Sequence, residues 1–213
     1  MADIFAVDKA RSMTANENLK IGGILLGAGG SSRLGRPKQF LHFEGQTLLR
    51  RTAEALVASV CDPVVAVLGA ESEKAEAEIA DLSLSTCLNP EWRSGMSSSI
   101  KVGLHELLLR EPQIDALIIM LCDQPFVDAH TIGHLVATFK QSQKHIVAAK
   151  YAGVVGVPAL FSREMFEALS ELQGDKGARD LIRDPDAAVE TIEIEEAAID
   201  IDSRDDVERF EMH

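Results

Sequence analysis

At 213 residues, with 46% apolar and 26% charged side chains, the chain has the composition of one folded globular domain, not of a disordered or fibrous protein. Its formal net charge of −13 repels polyanions and argues against nucleic acid as a partner. It leaves room for a small phosphorylated molecule gripped by a few converging cations and a divalent metal.

The segment Met1–Leu19 contains Asp3, Asp8, Lys9, Arg11, Asn16 and Glu17 and lacks the apolar core of a signal peptide. It reads as a flexible extension, with Met13 as an alternative start, and residues 20–213 read as one domain. The expected location is the cytoplasm, with no membrane span, because no run of about 18 apolar residues occurs. Cys61, Cys87 and Cys122 are odd in number, far apart and without a C-x-x-C partner. They suit reduced thiols better than a disulfide framework or a zinc site.

From Lys20 onward short apolar runs alternate with amphipathic stretches. "IGGILL" predicts a strand, "TLLRRTAEALVAS" a helix, "PVVAVLG" a strand and "SEKAEAEIADL" a helix. "LSTCL", "MSSSIKVGLHELLLR", "DALIIMLC", "AHTIGHLVATFKQ" and "HIVAAKY" continue the alternation. Such an order predicts an α/β fold with a mostly parallel, Rossmann-like sheet between two helical layers. Ligands of such sheets sit beyond the carboxyl ends of the strands. After Ala152 the pattern loosens: "GVVGVPALFSREMFEALSELQGDKGARDLI" reads as loop and two short helices, and "AVETIEIEEAAIDIDSRDDVERF" as strand, strand and closing helix.

The first strand empties into "LLGAGGSSRLGRPKQFL", which has three cations, Arg33, Arg36 and Lys38, and no acidic residue. A P-loop needs Lys and then Ser or Thr after its last glycine, and here Arg36 and Pro37 follow Gly35. A dinucleotide fingerprint needs a third glycine where Ser32 stands, and a helix where Pro37 interrupts. A third reading fits better. Glycines let the backbone approach a nucleoside triphosphate, while Arg33 and Lys38 neutralise its phosphates.

That loop resembles the signature L-x-A-G-x-S-x-R-x-G-x-x-K of the MobA-like nucleotidyltransferases, in the branch of the molybdenum cofactor cytidylyltransferases. "NPEWRSGMSSSI", "LCDQPFV", "GDKGARDLI" and "IDIDSRDDV" resemble that family's later motifs, in its order, so the resemblance spans Lys20 to Phe210. It implies a three-layer α/β/α fold and magnesium-dependent transfer of a nucleotidyl group, with manganese as a possible substitute metal. By resemblance, Leu26, Gly27, Ala28, Gly29, Arg33 and Lys38 line the triphosphate, and Arg33, Lys38 and Asp123 carry the chemistry.

Asp123 ends an apolar strand, where a carboxylate meets metal-bound phosphates; Asp128 is the better candidate to cap the following helix. The resemblance makes Asp123 and Asp200 metal ligands. Asp202, two residues on and on the same strand face, fits either a reserve ligand or a cap of the last helix. Gly95, Ser97 and Ser98 enter a helix where the family places the base, although any one of these serines also suits an N-cap. Lys176 and Arg179, one helical turn apart, would present two cations to the acceptor's phosphate.

Two positions depart from the family pattern. Val157 precedes Pro158 where a His is frequent, and Gly27 stands where the cytidylyltransferases commonly have Ala. His105 reads as a helix surface residue and lone Trp92 and Tyr151 as packing. The leading expectation is transfer of CMP from CTP to the phosphate of molybdopterin. The expected partners are the nucleoside triphosphate, the phosphorylated pterin, and a molybdoenzyme or its chaperone as receiver. The alternatives are GTP or another acceptor, a non-catalytic nucleotide- or cofactor-binding protein, and a flavin or nicotinamide oxidoreductase.

Overall fold

The computed structural model describes residues 19–30, 37–184 and 187–198. The expected ligands Asp200 and Asp202, Arg33, the part of the expected second strand beyond Ala198 and the closing helix lie outside them.

In chain order the elements are β1 (Ile21–Gly27), β2 (His42–Phe43), β3 (Gln46–Thr47), α1 (Leu48–Val57), β4 (Val64–Leu68), α2 (Ser72–Ile79), β5 (Ser85–Leu88), α3 (Met96–Arg110), β6 (Ala116–Leu121), α4 (Ala129–Ser142), β7 (Ile146–Tyr151), β8 (Val154–Ser162), α5 (Phe166–Glu171), α6 (Ala178–Ile182) and β9 (Val189–Glu193). Short 3-10 turns cover Lys38–Phe40, Trp92–Ser94, Arg163–Met165 and Glu195–Ala198.

Seven strands form one sheet in the order β5-β4-β1-β6-β8-β7-β9, and β2 and β3 pair separately as a small hairpin. All neighbours in the large sheet are parallel except those made by β8, which runs antiparallel to both β6 and β7. The chain winds outward from β1 to β4 and β5, then crosses to β6 on the other side of β1. That reversal opens a crevice beyond the carboxyl ends of β1 and β6, the place where open α/β sheets hold ligands.

Both faces of the sheet are covered, so its central strands are apolar throughout and do not alternate. Leu25 of β1, with Ala66, Ile118 and Leu160, faces the layer that includes Leu49, Leu56, Leu135 and Phe139 of α1 and α4. Ile24 and Leu26, one residue out of phase, face Ile100, Leu104 and Leu107 of α3, and Phe166 and Leu169 of α5 belong to the same cluster. Burying a Leu or Ile side chain contributes about 1.5–3 kcal/mol each, so the two layers fix the strand ends from which the site loops leave.

The structure corrects one sequence expectation. Residues 154–162 form a nine-residue strand, not a loop. Gly156 and Pro158 disguise it, because proline cannot donate to a ladder and glycine weakens one. Its pairing with β7 jumps from Ala148↔Ala159 to Ala149↔Gly156, so Val157 and Pro158 occupy a bulge. A bulge is one of the few sheet positions that tolerates proline. The turn between β7 and β8 is the two-residue pair Ala152–Gly153, both at positive φ (47° and 75°), as tight hairpins of the mirror-image turn types require.

Candidate active site

The crevice at the β1/β6 edge is built from main chain first. Leu26, Gly27 and Ala28 are buried as β1 ends, and Gly29 is the first exposed residue of the loop. A side chain at Gly29 would meet nothing within 4 Å, so its backbone lies open for a close approach. The amide of Ala70 donates to Ala28 O at 3.1 Å, which ties the exit of β4 to that of β1.

Trp92 lies across both exits. Cβ atoms added at Gly30 and Gly69 would fall 2.6 Å and 2.8 Å from its indole, so only glycine admits the ring at these positions. The Arg93 guanidinium stacks on the same ring at 4.2 Å. Gly30, Pro37, Gly69, Ala70, Glu71, Trp92 and Arg93 line a cavity of about 520 Å³, within the size range of small-molecule sites.

At the centre, Lys38 Nζ lies 3.2 Å from Asp123 Oδ2. Both side chains are about one-fifth exposed. Asp123 lies in the turn that follows β6, one residue beyond Cys122, and Lys38 opens a 3-10 turn after Pro37. The other oxygen, Asp123 Oδ1, is buried without a hydrogen-bond partner among the described residues. Leaving a buried carboxylate oxygen unsatisfied costs roughly 1–3 kcal/mol or more. A hard cation is the kind of group such an oxygen accepts, and magnesium is held by one or two carboxylates plus phosphates and water. Asp123 thus fits a metal, although no cluster of three or more His, Cys, Asp or Glu exists among the described residues. Cys122 beside it is pushed up to about 12 by burial and the Asp123 charge, which keeps it a neutral thiol.

Three amide side chains that the sequence reading left without a role organise the crevice. Buried Gln39, next to Lys38, donates to Ala70 O at 3.2 Å. Buried Gln124, next to Asp123, donates to Val157 O at 3.0 Å and Ala197 O at 3.1 Å. It thereby holds the bulged stretch of β8 beyond the last β6–β8 pair, Ile119↔Ala159. Buried Asn89 donates to Ser98 Oγ and Ser99 Oγ at 2.8 and 2.9 Å and accepts from Glu91 N at 3.0 Å, shaping the loop before α3. Arg51 of α1 braces the same region, donating to Pro125 O at 2.6 Å.

Of the serines expected at the base, Ser98 is half-buried, and its hydroxyl also donates to Gly95 O at 2.8 Å. Ser97 is buried and directs its hydroxyl to Gly174 O at 2.7 Å, across to the turn before α6. Gly95 touches the same turn, since a Cβ on it would overlap Gly174 O and Asp175 N. Lys176 follows on that turn and Arg179 lies in the first turn of α6, both exposed. The guanidinium of Arg179 lies against Gly156 of β8, where an added Cβ would meet Nε at 3.4 Å. Tyr151 is packing, as expected: its ring is buried and its hydroxyl donates to Val157 O at 3.1 Å. Asp128 caps α4 through Thr131 N at 2.8 Å, which leaves Asp123 out of that role. His105 is exposed on α3.

Comparison with known proteins identifies the family and the fold. The MobA-like NTP transferase domain matches residues 23–191. Nicotine blue oxidoreductase of Paenarthrobacter nicotinovorans is 30% identical over 88% of this chain and 95% of its own length. The purine catabolism protein PucB of Bacillus subtilis is 26% identical over 89% and 94%. The manganese complex of Rv0371c from Mycobacterium tuberculosis superposes with a TM-score of 0.70 at 27% identity, covering 90% of this chain and 97% of that one. Among the described residues no helix is long and apolar enough to cross a membrane.

Proposed function

Because this chain belongs to the MobA-like NTP transferase family, we propose that it transfers CMP from CTP to the phosphate of molybdopterin and releases pyrophosphate. The observation that carries the reading is the Lys38–Asp123 pair with its unsatisfied Oδ1, set where β1 and β6 open together.

In the reaction, an oxygen of the acceptor phosphate attacks the α-phosphorus of the triphosphate, and the bond to the β-phosphate oxygen breaks. Charge is the chief obstacle, so positioning and cations dominate. Gly27, Ala28 and Gly29 present backbone to the phosphates, and Arg33 and Lys38 neutralise them. Asp123, with Asp200 and Asp202 as further candidates, would hold magnesium or manganese, which supplies positive charge to the phosphate oxygens. The manganese complex of Rv0371c supports a divalent metal. Gly95 and Ser98 belong to the base side and Lys176 and Arg179 to the acceptor side. Among the described residues these two cations enter no ion pair, which suits an anionic acceptor in a chain of net charge −13. Delivery of the product to a molybdoenzyme or its chaperone belongs to the same reading, as does a place in the cytoplasm.

The name of one relative, nicotine blue oxidoreductase, favours a second reading in which the same fold serves a redox reaction or another acceptor. One assay separates them. Pyrophosphate release is measured from CTP, GTP, ATP and UTP with magnesium and molybdopterin, beside a Lys38→Ala control. Release from CTP alone, lost in the control, is the expected result. Release from GTP redirects the base assignment. No release from any triphosphate, with a flavin absorbance in the purified protein, sinks the transferase reading.

A further inference from the structure

Ser97 was expected at the base, yet its polar atoms are spent inside the protein. Its hydroxyl donates to Gly174 O at 2.7 Å, and its amide donates to the same oxygen at 3.3 Å. Gly174 is at φ 60° and begins the tight turn that Lys176 N closes onto Gln173 O at 3.2 Å. Around this link the contacts are unusually close. Gly95, at φ 114°, has no room for a Cβ against Gly174 and Asp175, and a Cβ on Gly177 would sit 2.7 Å from the Met96 sulfur. The start of α3 and the turn leading into α6 therefore meet backbone to backbone, along a seam of three glycines.

We propose that Ser97 is a positioning residue for the acceptor cations and not a nucleotide contact. By anchoring Gly174 it sets where Lys176 stands on the turn and where Arg179, at the start of α6, lies against Gly156 of β8. The inference rests on the transferase reading for what the cations bind. The anchoring itself is a matter of geometry. Ser97 is buried, and its hydroxyl and amide both point to the Gly174 carbonyl, so moving the turn away leaves a buried hydroxyl without its acceptor and thereby favours one arrangement of both loops. The apolar neighbours Met96 and Leu172 give the turn little else that is directional.

The test uses the full chain, unmodified and as Ser97→Ala, with Ser97→Thr as the variant that keeps the hydroxyl. In Ser97→Ala, hydrogen exchange quickens across residues 173–177 and stays unchanged in residues 100–110. In the pyrophosphate assay, KM for molybdopterin rises roughly tenfold, equivalent to about 1.4 kcal/mol, while KM for CTP stays within about twofold. Ser97→Thr restores both. Unchanged exchange at 173–177 overturns the proposal, and so does a rise in KM for CTP with KM for molybdopterin unmoved, which returns Ser97 to the base. If the unmodified chain releases no pyrophosphate from any triphosphate, the transferase reading fails and exchange alone decides whether Ser97 anchors the turn. Should Ser97→Ala not fold, the Ser97 amide and those of residues 173–177 in the unmodified chain are expected to exchange as one unit, because the Ser97 amide donates to Gly174 O. Exchange of residues 173–177 much faster than that of the Ser97 amide counts against the link.

Discussion

Lys38 and Asp123 stand 85 residues apart in the chain and 3.2 Å apart in the fold. Neither is on a helix or strand that could place it alone. Gln39 holds the first through Ala70 O, and Gln124 holds the second through Val157 O and Ala197 O. The pair is thus suspended between two buried amides, each one residue further along the chain.

Replacing Lys38 by Met removes the cation and keeps most of the side-chain length. Pyrophosphate release is expected to fall by about 10²–10³, the usual effect of losing one group that meets transition-state charge. Affinity for the triphosphate should change far less. Steady-state kinetics beside calorimetric binding checks this, and equal losses in the two would place Lys38 in ground-state binding only.

Trp92 is the sole tryptophan of the chain and touches Gly30 of the signature loop. Its emission should therefore shift or quench when a triphosphate enters the neighbouring cavity. The titration is done with CTP and magnesium. Binding seen by calorimetry with no change in emission would separate the nucleotide from that cavity.

Gln124→Leu deletes the donor to two buried carbonyls. Val157 O keeps the Tyr151 hydroxyl, but Ala197 O loses the donor that Gln124 supplies. A loss of about 2 kcal/mol is expected for the unsatisfied acceptor, or a fall in Tm of about 4–8 °C for a chain of this size. Thermal unfolding decides, and an unchanged Tm would mean that the bulge repacks around leucine.

Arg50 holds the Asp81 carboxylate through paired 2.8 Å hydrogen bonds and draws its pKa from 3.8 down to about 2. Since the folded value lies below the unfolded one, the stabilisation is complete above about pH 4 and disappears as the pH falls towards 2. Asp81→Asn should flatten the stability profile inside that window and leave its shape above pH 5 unchanged. Both groups are at the surface, so the effect is small and weakens with salt. Chemical denaturation at a series of acidic pH values measures it.

The sequence announces what depends on local chemistry. Apolar runs and their periods locate β1, β4, β6 and β7 and the helices between them, and Asp128 is readable as a cap from the run that follows it. What escapes is set by distant partners. Strand β8 is hidden because Gly156 and Pro158 are poor strand residues until a bulge receives them. Gln39 and Gln124 carry no local signal, since their carbonyl partners lie 31, 33 and 73 residues away. Ser97 looks like any hydroxyl at a helix start. Only the meeting of Gly95 with Gly174 shows that it belongs to another loop.

The β7–β8 hairpin has a consequence for how such a protein changes over time. Its two-residue tip, Ala152–Gly153, points to the same edge as the ends of β1 and β6, because β7 runs parallel to them and β8 returns. Its outermost ladder, Tyr151↔Val154 and Lys150↔Val155, belongs to β7 and β8 alone on the β8 side. Adding residues in pairs at the tip would raise a wall beside the crevice without shifting the register of any strand behind it. What enters the crevice can therefore be admitted or refused by insertion at one point, while the Lys38–Asp123 pair stays where it is.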